Sequence, residues 1–274
     1  MTTEGSVTAG AGAPDHTDLY GPDALHLVDL FAPRGEVRGL VVLLHGGFWR
    51  SRWDRTHLRP LAAALAAAGH AVALPEYRRI GDPGGGWPGT GDDVLRMLET
   101  VPALAEARFG PGAVARVTLV GHSAGGHLAV WSQAGRGASV DRVVSLAGVL
   151  DLAAAHALGL SDDAVGELLG RDDVEGALPG ADPMALPVPA TEVVLLHGEL
   201  DEEVPVSFSR AYAARSPRIR SLVLDDAGHY ELIDPTSTAW LPLLSALAAE
   251  PARAASEPPA PAPTPPIAPA GGTA

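Results

Sequence analysis

Residues Gly121-His122-Ser123-Ala124-Gly125 form the pattern G-x-S-x-G, between a strand-like run over 116–120 and a helix-like stretch over 124–134. In that setting the chain turns so tightly that small residues are needed on both sides of the serine, which is then held out with its Oγ exposed at a helix N-terminus. A serine hydroxyl is a poor nucleophile near neutral pH and needs a base. The histidines downstream are His127, His156, His197 and His229. His127 lies four residues along the following helix and should point away, His156 falls in an insertion, and His197 closes a strand and reads as a packed structural histidine. His229, in Asp225-Asp226-Ala227-Gly228-His229, follows the last strand, where a loop can bring its imidazole back over Ser123. Asp201, in His197-Gly198-Glu199-Leu200-Asp201, follows a strand end and is the preferred partner for that histidine. Asp225, Asp226 and Glu202 are rivals by adjacency. The acid's role would be to fix the histidine tautomer and stabilise the imidazolium.

Acyl transfer also builds negative charge on a carbonyl oxygen, which backbone N–H groups must meet. His45-Gly46-Gly47-Phe48-Trp49 directly follows a strand-like run over 40–44. Its glycines allow close backbone approach. The N–H groups of Gly47, Phe48 and Ala124 are therefore the expected oxyanion donors, and Phe48 and Trp49 the expected substrate-binding wall. The remaining His, Asp and Glu residues show no metal-ligand spacing. No metal and no cofactor is expected. Tyr77, Arg78 and Arg79 read as structural, and Trp87 and Met184 as packing.

These groups need a scaffold. Apolar runs of strand length occupy 40–44, 71–74, 117–120, 142–147, 192–196 and 221–224. They do not alternate with polar residues, as expected of strands buried on both faces. Helix-like stretches lie between them at 58–68, 92–108, 124–134, 209–215 and 237–249. The alternation predicts a three-layer α/β domain with a mostly parallel central sheet, and residues 24–31 read as an added antiparallel strand at one edge. The segment 152–190 is too long for a single crossover. It reads either as a small cap over the strand ends or as a helix with a ragged loop. Residues 1–18 are small, polar and aperiodic, and the Pro/Ala-rich run 251–274 has almost no large apolar residue. Both are expected to be disordered, which leaves a folded domain over 19–250.

Composition narrows the chemistry further. The 274 residues include no cysteine, which removes disulfides, thiolate metal sites and a cysteine nucleophile. All 19 basic residues are arginine, so lysine-dependent chemistry is excluded, and the net charge of −14 disfavours nucleic acid as a partner. The N-terminal residues lack the basic and apolar regions of a secretory signal. No apolar run approaches the roughly 18 residues of a membrane span. A cytoplasmic protein with no membrane partner is expected.

The blocks HGGFW (45–49), EYRR (76–79), GHSAGGHLA (121–129), HGELDEEVP (197–205) and GHYELIDP (228–235) occur in one order. Together they resemble α/β-hydrolases of the kynurenine formamidase (arylformamidase) and carboxylesterase group, over about residues 20–248. The resemblance implies an α/β-hydrolase fold with Ser123 as nucleophile, Asp201 as acid and His229 as base. It also implies hydrolysis of a small-molecule ester or amide, an aromatic one such as N-formylkynurenine, with small acyl esters as the alternative. A non-catalytic ligand-binding protein on the same fold is the reading from another class. Such relatives commonly lack a triad member, and here all three are present.

Overall fold

The computed structural model describes residues 12–136 and 139–248. Among these, one sheet contains β1 (His16–Leu19), β2 (Leu27–Phe31), β3 (Leu40–Leu44), β4 (Ala71–Pro75), β5 (Val117–His122), β6 (Arg142–Leu146), β7 (Glu192–Gly198) and β8 (Ile219–Leu224). Their spatial order is β1-β2-β4-β3-β5-β6-β7-β8. The six strands from β3 to β8 run parallel, and β2 joins β4 antiparallel. Around the sheet pack α1 (Arg59–Ala67), α2 (Gly89–Phe109), α3 (Ala124–Gln133), α7 (Val206–Ala213) and α8 (Trp240–Ala248).

The unbroken apolar strands have the reason expected of them. Leu40, Val42 and Leu44 of β3 face one core with Val94, Met97 and Val101 of α2 and Leu128 of α3. Val41 and Leu43, the residues between them, face a second core with Leu61 and Leu65 of α1 and Leu243 and Leu247 of α8. With helices on both faces there is no solvent side to ask for polar residues. Helix α3 is buried along its whole length, in keeping with its place behind the strand β5 that leads into it.

Chain order reverses at β3, which has β4 on one side and β5 on the other. Open parallel sheets hold their ligands at such a switch point, beyond the carboxyl ends of the strands. Ser123 follows β5, the Gly46-Gly47 turn follows β3, Asp201 follows β7 and His229 follows β8, all at that end.

Two features differ from the sequence reading or refine it. The proposed disordered stretch 1–18 includes an ordered strand. β1 pairs antiparallel with β2, Thr17 Oγ1 donates to Asp29 at 2.8 Å, and the Arg108 guanidinium pairs with Asp18 at 2.6 Å. This strand stands on backbone pairing and polar contacts, so apolar periodicity does not reveal it. Residues 1–11 and the tail 251–274 lie outside the described residues. Segment 152–190 folds as three short helices, α4 (Leu152–Ala157), α5 (Leu160–Leu169) and α6 (Val174–Ala181). The first part of α5 is irregular, with Ser161, Asp162 and Asp163 all left-handed (φ 51°, 54° and 57°).

His127 ties α3 to this insertion, donating from Nε2 to the Ala181 carbonyl at 2.9 Å. Burial lowers its pKa from 6.5 to about 4. The unfolded chain takes up this proton at the higher value, so the stabilising contribution is full above pH 6.5 and declines as pH falls towards 4. The decline from this one group is about 3 kcal/mol. His127→Gln, which keeps a donor for Ala181 but cannot titrate, should therefore flatten the fall in stability between pH 6.5 and 4. Urea unfolding of both proteins across that range checks this, and parallel curves would contradict it.

Candidate active site

Ser123 occupies the turn between β5 and α3 with φ 55° and ψ −117°, a conformation that L side chains rarely adopt. The flanking glycines make the turn possible. A Cβ on Gly121 would run into the backbone of Gly125, and one on Gly125 into the carbonyls of Leu44 and His45. The Ser123 N–H donates to the Leu146 carbonyl at 2.8 Å, which fixes the turn to β6.

Asp201 is buried and accepts the His229 Nδ1–H on Oδ2 at 2.7 Å. Its Oδ1 accepts the N–H groups of Glu203 at 2.9 Å and Val204 at 2.8 Å. Burial alone would raise the Asp201 carboxyl. The contacts with His197 and His229 and the Val204 N–H outweigh burial and hold it well below the ordinary carboxylate range. With Nδ1 donating to a carboxylate, neutral His229 leaves Nε2 free to accept a proton. Asp225, Asp226 and Glu202 make no hydrogen bond or ion pair to His229. Its ring also lies 4.5 Å, centre to centre, from that of His122, whose Nε2–H donates to the His229 carbonyl at 3.1 Å. Burial pushes His122 well below 6.5, so it stays neutral as it does this.

Ser123 and His229 line one cavity of about 360 Å³. The Ser123 hydroxyl has no hydrogen-bond partner among the described residues, His229 included. In hydrolytic sites the contact between serine and base tightens as substrate binds. Gly47, Phe48, Arg52, Trp53, His57, Ser161, Glu203, Tyr230 and Ile233 complete most of the wall. A larger, shallower depression of about 600 Å³ lies beside His26 and Asp93 and is lined by none of Ser123, Asp201 and His229. Among the described residues, no group of three or more His, Asp or Glu side chains could hold a metal ion.

The turn after β3 is left-handed over three successive residues, Gly47 (φ 106°), Phe48 (φ 49°) and Trp49 (φ 56°). The N–H groups of Gly47, Phe48 and Ala124 have no acceptor among the described residues, as a site for a developing oxyanion requires. Beneath the turn, His45 Nδ1 lies 2.8 Å from the Gly46 carbonyl and its Nε2 2.7 Å from Glu76. Tyr77 stacks on the His45 ring at 4.3 Å and donates its hydroxyl to the His45 carbonyl at 2.8 Å. Burial would raise the Glu76 carboxyl, but His45 and Arg79 bring it below its usual value. Arg50, just past the turn, reaches into the insertion. It donates from Nε to Glu167 at 2.7 Å and from its two terminal nitrogens to Ser161 Oγ at 3.0 Å and Ser161 O at 2.7 Å.

One expected wall residue is elsewhere. Trp49 is fully buried and meets His127 edge-on at 5.3 Å, away from the cavity. The left-handed turn leaves Phe48 on the cavity side and sends Trp49 into the core. Trp53, 48% exposed and packed over Gly47, takes the wall position. The sequence reading missed it, along with Tyr230 and the contact of His197 with Asp201. Trp53 has the same residue type four positions later, but no spacing rule distinguishes the two tryptophans.

The sheet order, the turn at Ser123 after β5 and the positions of Asp201 and His229 beyond β7 and β8 define an α/β-hydrolase fold. A family model described as BD-FAE matches residues 28–215, more than half of the chain, and the protein belongs to that family. Solved structures of the same fold include esterase B from Lactobacillus rhamnosis, at 20% identity and TM-score 0.68, covering 87% of this chain and 86% of that one. A truncated carbohydrate esterase from gut microbiota aligns at 17% identity and TM-score 0.67, over 87% of this chain and 97% of that one. The esterase Est2 of Thermogutta terrifontis, in a propionate-bound structure, aligns at 20% identity and TM-score 0.62, over 86% and 91%. Among curated proteins, no sequence matches.

Two substitutions probe the geometry. Gly47→Ala places a Cβ against Trp53 at a backbone angle that disfavours it, and should lower kcat/KM on an activated ester about a hundredfold through the oxyanion turn. Asp201→Asn should lower kcat by roughly a thousandfold or more while leaving the fold intact, because the amide can no longer hold the reactive tautomer of His229. Steady-state kinetics with a circular dichroism control checks both, and near-native turnover by either variant would contradict the assignment.

Proposed function

We propose that this protein is a serine hydrolase that cleaves ester or amide bonds through an acyl-enzyme on Ser123. The observation that carries this reading is the 2.7 Å hydrogen bond by which buried Asp201 holds His229, whose ring lines the same cavity as Ser123. His229 Nε2 takes the Ser123 proton as Oγ attacks the substrate carbonyl. The N–H groups of Phe48 and Ala124, with Gly47, receive the charge that develops on oxygen. His229 then protonates the leaving group and activates water for deacylation. No group beyond these side chains and backbone donors is needed for the cycle.

Carboxylic ester hydrolysis is the substrate class best supported, since relatives in fold carry esterase names. An aryl formamide, with N-formylkynurenine the named candidate, is the narrower reading. Its support is the motif resemblance and the aromatic lining of Phe48, Trp53 and Tyr230. A small acyl group on a flat aromatic leaving group suits such walls.

The test sets purified protein against p-nitrophenyl acetate and N-formylkynurenine side by side, with Ser123→Ala as control. Turnover of the ester that disappears in the variant is the expected result. A kcat/KM for the formamide about a hundredfold above that for the ester, roughly 3 kcal/mol in transition-state binding, would select the arylformamidase reading. Activity retained by clean Ser123→Ala protein would remove Ser123 as nucleophile. Failure of a fluorophosphonate probe to label wild-type Ser123 would point to a binding protein on a hydrolase scaffold.

A further inference from the structure

His197, the last residue but one of β7, is fully buried and lies behind the acid of the triad. Its Nε2 is 2.9 Å from the Val204 carbonyl and 3.2 Å from Asp201 Oδ2. Both neighbours are acceptors, so Nε2 carries the hydrogen, bonded to the Val204 carbonyl with Asp201 Oδ2 beside it. In the neutral ring Nδ1 is then the acceptor, and the Ser209 hydroxyl of α7 lies 2.7 Å from it. Ser209 is itself buried and makes no other side-chain hydrogen bond among the described residues.

This contact completes the surroundings of Asp201. Oδ1 takes two backbone N–H groups, from Glu203 and Val204, and Oδ2 takes His229 Nδ1–H with His197 Nε2 a further 3.2 Å neighbour. A carboxylate offers about four lone-pair directions; three are taken by these hydrogen bonds, and His197 Nε2 stands beside the remaining side of Oδ2. The oxygen that holds the base is the one that His197 touches. Without His197, Oδ2 would keep one donor, and the carboxylate could tilt about its last torsion or admit water beside the base.

We propose that His197 is a positioning residue of the triad, locked by Ser209 and acting through Asp201 Oδ2 to hold His229 in register with Ser123. The proposal rests on the serine-hydrolase reading above. It assigns the chain Ser209–His197–Asp201–His229 a part in turnover and not only in packing.

The test compares His197→Gln, whose amide nitrogen can stand near the position of Nε2, with His197→Leu, which fills the space but donates nothing. A third variant, His197→Asn, keeps the amide but falls short of Asp201. Expected are a kcat lowered about ten- to a hundredfold in the Leu and Asn variants, the size of one hydrogen bond to a charged group, with KM within about twofold. The Gln variant should recover most of the loss. A second readout is independent of turnover: the low-field proton resonance of His229 Nδ1–H should persist in the Gln variant and broaden or vanish in the Asn variant. If Leu does not fold, Gln against Asn carries the comparison. Equal kcat in Gln and Asn variants, with the low-field proton the same in both, would overturn the proposal. Should wild-type protein hydrolyse nothing and resist the fluorophosphonate probe, the hydrolase reading fails, while the proton resonance still reports whether His197 orders the Asp201–His229 pair.

Discussion

The serine turn is held open by the absence of two side chains and by the register of two strands. β3 and β5 pair so that Leu44 lies opposite Gly121. That register brings the end of β3 within touching distance of the backbone at Gly125, and only a residue without a Cβ tolerates the approach. The unfavourable backbone conformation at Ser123 costs on the order of 1–3 kcal/mol. It persists because α3 is buried throughout and cannot relax away from the sheet. The same register sets the glycine turn after β3 beside the N-terminus of α3. A Cβ on Gly46 would meet the Ser123 side chain, so the two turns are in contact.

Below this arrangement lies a second layer of fixed charge. Glu76 binds His45 and Arg79, Asp29 binds Arg55 and Arg59, and Asp93 binds His26 and Arg78. These buried carboxylates all have partners, as burial of charge demands. Several of the contacts brace the strand ends and the turn that carries Phe48. In the proposed reaction, donors held this way would already be oriented as charge develops on a substrate oxygen, so little reorganisation would be required.

The sequence made much of this visible, and the reasons for its limits are physical. Strands covered on both faces leave long apolar runs, so β3 to β7 could be placed within a residue or two. Ser123, His229 and Asp201 were legible because each follows a strand end in the order that a parallel sheet brings together. β1 was hidden because its stability comes from pairing with β2. The places of Trp49 and Trp53 were hidden because they depend on successive left-handed residues, a backbone property with no composition signature outside glycine. His197 was read as a structural histidine from its strand position, but its approach to Asp201 depends on how the loop over 199–205 folds back, which no local pattern records.

The grip of Arg50 on Glu167 and Ser161 has a further consequence. One side chain joins the turn that would stabilise the transition state to the helix that shapes the cavity rim. The two parts therefore cannot be exchanged independently between relatives. An insertion transplanted from another member of the fold would leave a half-buried guanidinium without its carboxylate unless it brought a replacement anion to the same point.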